Sequence, residues 1–158
     1  MEQLLQTVLG SEIFSLLDGF SGYNQVLVSE EGRLKTNFRT KWGTFTYKRM
    51  PFGLINAGAT FQRAMDVDFW GLINKCVVVY LDDVTVYSKN REEHIRHPTQ
   101  IFERCMKYGI SLNPKKTIFD VEEGKLLGHI ISQERIHIDL ERIKAIAQLP
   151  LPHNKKYM

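Results

Sequence analysis

Apolar positions along this 158-residue chain change their period several times, and each change predicts an element. Residues 2–9 read as a short helix that Gly10 stops. Ile13 to Asp18 is an apolar run read as a buried strand, and Gly19, Ser21 and Gly22 break it into a turn. Leu34–Arg39 and Thr44–Lys48 are rich in β-formers and flank Gly43, which predicts a hairpin; Met50-Pro51-Phe52-Gly53 follows as a loop. From Ala57 to Ile73, apolar residues at Ala57, Phe61, Ala64, Met65, Phe69 and Leu72 recur at spacings of three and four, so this stretch is an amphipathic helix. Val77–Tyr80 and Val84–Tyr87 are β-branched runs joined by Leu81-Asp82-Asp83, which predicts a tight hairpin. A helix from about Glu92 to Tyr108 ends at Gly109. Pro98 lies inside it and lacks the N–H that a helix interior needs, at a cost of ~3 kcal/mol, so a kink or a helix start is expected there. Lys116–Phe119, Leu126–Ile131 and Ile136–Ile138 read as short strands, and Asp139 caps a last helix to about Gln148, ended by Pro150 and Pro152. Interleaved strands and helices place the chain in the α+β or α/β class.

Composition narrows this little: 43% hydrophobic and 25% charged residues describe an ordinary globular chain. The net charge of +3 permits nucleic-acid binding without requiring it. Position matters more, because Arg39, Lys41, Lys48 and Arg49 cluster, and Lys115-Lys116 and Lys155-Lys156 form two further basic spots. Cys76 and Cys105 form no C-x-x-C pair, which argues against a zinc site. No signal peptide and no membrane-spanning run is visible, so the expectation is an intracellular protein of cytoplasm or nucleus with no membrane partner. No repeat or linker divides the chain, which is read as one unit.

The candidate chemistry is carboxylate chemistry. Asp82 and Asp83 sit together at a predicted hairpin tip, where like charges repel unless a cation or solvent compensates. Alone they would be a solvated turn, since Asp is a common turn residue. Asp18 changes the weighing, because it also ends an apolar strand just before a Gly-rich turn. If the strands are neighbours, three carboxylates converge. Alternation then aims Asp82 at the shared site, with Asp83 beside it unless the turn rotates it in. Clustered carboxylates suit magnesium, and two such ions could orient both oxygens of a phosphoryl displacement. His94 and His97 lie three apart on a predicted helix but have no third ligand nearby, so a metal role for them is set aside. Trp42, between Lys41 and Gly43, is read as packing at a hairpin tip, with base stacking as the alternative.

Five motifs in order carry a resemblance: Phe14-Ser15-Leu16-Leu17-Asp18-Gly19-Phe20-Ser21-Gly22-Tyr23; Met50-Pro51-Phe52-Gly53-Leu54 with Ala59-Thr60-Phe61-Gln62; Tyr80-Leu81-Asp82-Asp83; Leu112-Asn113-Pro114-Lys115-Lys116; and Leu127-Gly128-His129. The chain resembles, over nearly its whole length, the reverse transcriptase of gypsy-type LTR retrotransposons, in a plant-like version. That resemblance implies an α+β polymerase palm, an antiparallel sheet packed on helices with part of a fingers hairpin. It implies RNA- or DNA-templated DNA synthesis within a Pol polyprotein. The partners would be an RNA or DNA template with its primer and deoxynucleoside triphosphates, and the cofactors two magnesium ions, with manganese as an alternative. Asp18, Asp82 and Asp83 would be the catalytic and metal-binding residues. Tyr23 would stack under the incoming sugar, with a core tyrosine as the alternative, and Phe52 and Gly53 would lie near the nucleotide and template, with Phe52 as a plain core residue as the alternative. Leu127, Gly128 and His129 would form the primer grip, favoured by the order of motifs over an ordinary strand with a glycine, and Lys115 and Lys116 would meet the nucleic-acid backbone, with a solvated basic turn as the alternative. Measured against this family, residues 1–158 are expected to be a partial domain, without the earlier fingers segment, the thumb and connection, or ribonuclease H. Pro98, Arg135 and Leu140 depart from the usual residues, which suggests a decayed copy or a fragmentary gene model; Gly58 also departs but is discounted, since related plant elements tolerate glycine there. Two rival readings are a silent remnant that at most binds nucleic acid non-specifically and an unrelated magnesium-dependent nuclease. The nuclease would need a water-activating group, and no histidine is placed for that.

Overall fold

The structure is a computed structural model that describes residues 2–148; Pro150, Pro152 and Lys155-Lys156 lie outside the described residues. The central layer is a four-stranded sheet of β1 (Ile13–Asp18), β4 (Val77–Tyr80), β5 (Asp83–Ser88) and β6 (Ile118–Val121). Its order is β4-β5-β1-β6, antiparallel throughout, which settles the class as α+β.

Side chains alternate across each strand, and both faces are covered. Leu17, Val77, Val79, Val84 and Val86 face the helices α3 (Ala57–Asp68) and α5 (Arg96–Tyr108), meeting Phe61, Met65 and Ile101. Phe14, Val78 and Tyr87 face the other way, onto α1 (Glu2–Val8) and a small antiparallel sheet. That sheet comprises β7 (Gly124–Leu126), β8 (His129–Ile131) and β9 (Ile136–Ile138). A separate hairpin of β2 (Phe38–Thr40) and β3 (Gly43–Phe45) stands apart from both sheets.

Several boundaries differ from the sequence reading. Leu34–Thr36 is a 3₁₀ turn following a short helix, α2 (Glu30–Arg33), so the expected Leu34–Arg39 strand shrinks to β2. Ser29 caps α2 by accepting the Gly32 N–H at 3.2 Å, which outweighs the β-propensity beyond it. The strand expected over Thr44–Lys48 is Gly43–Phe45. Helix α3 stops at Asp68 rather than Ile73. Lys116 lies in the turn before β6, not in the strand. The run Leu126–Ile131 is two strands, because Leu127 and Gly128 turn with φ of 54° and 80°.

Pro98 acts as expected of a residue without an N–H. The helical stretch is interrupted at Ile95, dividing α4 (Arg91–His94) from α5, and Pro98 falls in the first turn of α5, where no intrahelical donor is needed. Asp139 caps the last helix, α6 (Leu140–Ala147): its Oδ1 accepts the Glu141 N–H at 3.1 Å.

Candidate active site

The carboxylates gather where β1 ends and β5 begins. Asp18 and Asp83 are direct cross-strand partners, and Tyr80 pairs with Asp83 on the other side. Asp18 shares the face of Phe14 and Asp83 that of Tyr87, so the two acids point the same way. The expected order is therefore reversed. Asp83, not Asp82, stands opposite Asp18, because β5 starts one residue early and the loop is only Leu81-Asp82.

Asp82 occupies the tip and turns its Oδ1 toward the α3 side. A Cβ on Gly22 would overlap that oxygen and come within 2.8 Å of Phe61 Cζ, so only glycine fits at position 22. Asp82 Oδ1 is buried and has no hydrogen-bond partner. Burial, with the charges of Asp18 and Asp83 adding to it, pushes the Asp82 carboxyl above its ordinary range, and Lys116 opposes this. Asp83 is raised by desolvation and by Asp18, again against Lys116, although it stays open to solvent. The sequence argument for mutual repulsion thus has its physical counterpart here.

Backbone and side-chain ties hold the tip in place. The Gly19 N–H donates to Asp82 O at 2.8 Å, fixing the end of β1 to the turn. Leu81 has φ of 54°, a left-handed conformation costly for a leucine. Its N–H donates to Gln62 Oε1 at 3.0 Å, while Gln62 Nε2 donates to Val79 O and Asp66 Oδ1, each at 3.1 Å. Gln62 on α3 thereby clamps the strained turn, a role no local pattern assigned to it.

Lys116 reaches the same place by another route. The Asn113 N–H donates to Asp18 O at 2.8 Å, hanging the 113–117 turn on the end of β1. Lys116 Nζ then lies 3.3 Å from Asp18 Oδ2. A cleft of about 410 Å³ opens beside Asp18, Asp83 and Lys116 and is walled by Leu16, Ile118 and Val121. Lys115 stays exposed, its backbone N–H donated to Asn113 Oδ1 at 3.1 Å.

Tyr23 follows the Asp82 pocket in a 3₁₀ turn, half-buried. Its ring meets Phe52 edge-on at 4.9 Å and Phe61 at 5.4 Å. Phe52 is exposed, and Gly53 has φ of 93°, which suits glycine. Leu127-Gly128 is the two-residue turn between β7 and β8, and His129 opens β8, its Nδ1 3.3 Å from Leu127 O. These residues form the turn of a hairpin in the small sheet on the Asp18 and Asp83 face.

His94 belongs elsewhere. Its Nε2 lies 2.7 Å from Ser15 Oγ and its Nδ1 2.7 Å from Ser88 Oγ, which also meets His97 Nδ1 at 2.6 Å. Both nitrogens of His94 are spent on serines, so the pair is a buried structural network. Among the described residues, no three His, Cys, Asp or Glu side chains are grouped as a ready-made metal cage. No described helix is long and apolar enough to cross a membrane.

The profile of the family "Reverse transcriptase (RNA-dependent DNA polymerase)" matches residues 2–131. The chain is 37% identical over 142 residues to the retrovirus-related Pol polyprotein from transposon gypsy of Drosophila melanogaster, covering 90% of this chain and 14% of that protein. It is 37% identical to the enzymatic polyprotein of Cauliflower mosaic virus (strain NY8153), covering 82% of this chain and 21% of that protein. It therefore spans only a small part of these relatives. Among solved structures, the foamy viral protease-reverse transcriptase dRH in complex with double-stranded DNA superposes with a TM-score of 0.84 at 20% identity, over 99% of this chain and 27% of that one. The foamy viral protease-reverse transcriptase bound to an RNA/DNA hybrid gives 0.81 at 20% identity, over 94% and 20%. At that identity the likeness speaks for the fold.

Proposed function

This chain belongs to the reverse transcriptase family, and on that premise we propose that it is the polymerase palm of a retrotransposon Pol polyprotein, extending a primer 3′-hydroxyl with deoxynucleoside triphosphates on an RNA or DNA template. The observation that carries this reading is the cross-strand register of Asp18 and Asp83 with Asp82 at the adjoining tip.

The donor chemistry suits magnesium or manganese, although among the described residues the acids are not grouped as a ready-made cage. Three carboxylates supply hard oxygen donors, Asp82 Oδ1 lacks any partner, and burial and repulsion raise both Asp82 and Asp83. Asp18, Asp82 and Asp83 would hold the ions, which when bound activate the attacking hydroxyl and neutralise charge on the phosphoryl group. The protein's own contribution is positioning. Gln62 and Gly22 fix the tip that bears Asp82, and the Asp18–Asp83 register aims two carboxylates into one cleft. Tyr23, braced by Phe52 and Phe61, would lie under the incoming sugar beside Gly53. Leu127, Gly128 and His129 would steady the primer end. Lys116, drawn to Asp18, and Lys115, free at the same turn, would face phosphates.

Primer extension on a homopolymer template with magnesium tests the reading. The wild type should incorporate deoxynucleotides, and Asp82→Asn should lose that activity by about a hundredfold or more. Incorporation that persists in Asp82→Asn would sink its assignment. Binding of primer-template without extension by the wild type would instead support the silent-remnant reading.

A further inference from the structure

We propose that Gln25 is a positioning residue: it couples the turn that presents Tyr23 to the strap that presents Lys116, and so holds the nucleotide side and the metal side of the carboxylate site in one fixed relation. The inference rests on the reading of the chain as a template-directed polymerase palm.

The first observation is that the Gln25 amide is spent on backbone. Its Nε2 donates to Phe20 O at 2.7 Å and to Ser111 O at 2.9 Å, and its Oε1 accepts the Ser111 N–H at 2.6 Å. The partners fix the orientation of the amide: an N–H can only donate, so it faces Oε1, and two carbonyls can only accept, so they face Nε2. Gln25 thereby meets both backbone polar groups of Ser111, as a neighbouring strand would. The two residues are 86 positions apart, so no local pattern announces the contact.

The second observation is what Ser111 belongs to. Residues 111–113 run antiparallel beside 18–20, past the end of β1. The Phe20 N–H donates to Ser111 O at 2.9 Å, Gly19 bridges Leu112, and the Asn113 N–H donates to Asp18 O. This strap leads directly into the turn in which Asn113 O accepts the Lys116 and Thr117 N–H groups at 3.2 and 3.1 Å, the turn that delivers Lys116 to Asp18. Ser111, Lys115 and Lys116 are exposed, so water competes for the strap's hydrogen bonds. Gln25 ties the strap to an element beyond the end of β1.

The third observation is the turn at the other end. Gly22–Gln25 follows Ser21, whose φ of 51° is a left-handed conformation costly for a serine, and the bond from Gln25 Nε2 to Phe20 O closes the chain around it. The turn sets Gly22 against Asp82 and Tyr23 against Phe52. Its backbone is pinned from behind, since Arg49 Nη1 donates to Asn24 O at 3.2 Å and to Gln25 O at 3.1 Å. A residue with a pinned backbone and a side chain that grips a second segment transmits position from one to the other. Without that grip, Tyr23 and Lys116 would be placed independently.

A double-mutant cycle on manganese affinity, read by electron paramagnetic resonance titration of the full chain, tests the coupling. Lys116→Gln removes the cation beside Asp18 and should tighten manganese binding. Gln25→Met keeps the length and loses all three hydrogen bonds; by loosening the strap it should tighten binding by about twofold, and Lys116→Gln added to it should bring a smaller gain than in the wild type. Gln25→Glu keeps an acceptor for the Ser111 N–H but turns its second oxygen toward two carbonyls, so it should match Gln25→Met. In primer extension both variants should raise KM for the deoxynucleotide by about threefold or more, with primer-template affinity held. Gln25 is only half-buried, so neither change reaches the core. Equal gains from Lys116→Gln in the wild-type and Gln25→Met backgrounds would overturn the coupling and leave the palm reading standing. An unchanged KM, or a Gln25→Glu chain that behaves as wild type, would do the same. Wild type that binds no manganese would overturn both.

Discussion

A lysine beside three carboxylates is the residue-scale feature with the sharpest consequence. Lys116 stands 3.3 Å from Asp18 and opposes the upward shift of Asp82 and Asp83, so it supplies part of the positive charge that a divalent cation would supply. Its side chain is 67% exposed, which screens the interaction and makes it displaceable. Lys116→Gln should therefore bind manganese about threefold to tenfold more tightly than the wild type, a Coulombic gain discounted for solvent. Electron paramagnetic resonance titration reads this without catalysis, and an unchanged or weaker affinity would show that Lys116 does not compete with the ion. The position of Lys116 was legible only as a basic spot. Nothing local reveals that residue 116 meets residue 18, since the contact depends on the Asn113 N–H fastening its turn to Asp18 O.

At the scale of elements, α3 is more than a cover for the sheet. Ala57, Phe61 and Met65 fall one turn apart and bury one stripe, as the periodicity requires. From beside that stripe Gln62 holds Val79 O and the Leu81 N–H, spanning the strained turn that carries Asp82. Gln62→Ala leaves a part-buried donor unpaired and should lower stability by about 1–2 kcal/mol in urea unfolding. It should also reduce extension more than it reduces primer-template binding, because the damage falls on the tip. A variant equally active per folded molecule would deny Gln62 its positioning role. The helix itself was plain in the sequence. Its early stop at Asp68 was not, because the apolar residues Phe69 and Leu72 continue the pattern into a turn that packs on the same core.

For the molecule as a whole, the buried chain Ser15–His94–Ser88–His97 ties β1 and β5, the strands that bear Asp18 and Asp83, to α4 and α5. Desolvation lowers the His94 pKa from its ordinary value of 6.5; Asp120 works against this, while His97 and Arg91 reinforce it. The folded protein keeps His94 neutral where the unfolded chain takes up a proton. Stability should hold above pH 6.5 and fall as pH drops below it toward the lowered value. Thermal melts from pH 7.5 to 5 should show that slope, and His94→Gln should flatten it even if the variant starts less stable. An identical slope in both proteins would remove His94 from the account.

Sequence alone determined the strand that ends in Asp18, the helices stopped by Gly10 and Gly109, and the hairpin bearing Asp82, because periodicity, β-branching and glycine act over a few residues, whereas the antiparallel pairing that separates α+β from α/β came from the tertiary structure. Tertiary structure alone decided that Asp83 rather than Asp82 faces Asp18, that Lys116 sits among the acids, that Gln62 clamps the turn, and that Trp42 is left bare. Register and long-range contact are set by how two faces of one sheet pack on different partners, and a one-residue shift in where β5 begins exchanges which carboxylate meets its neighbour.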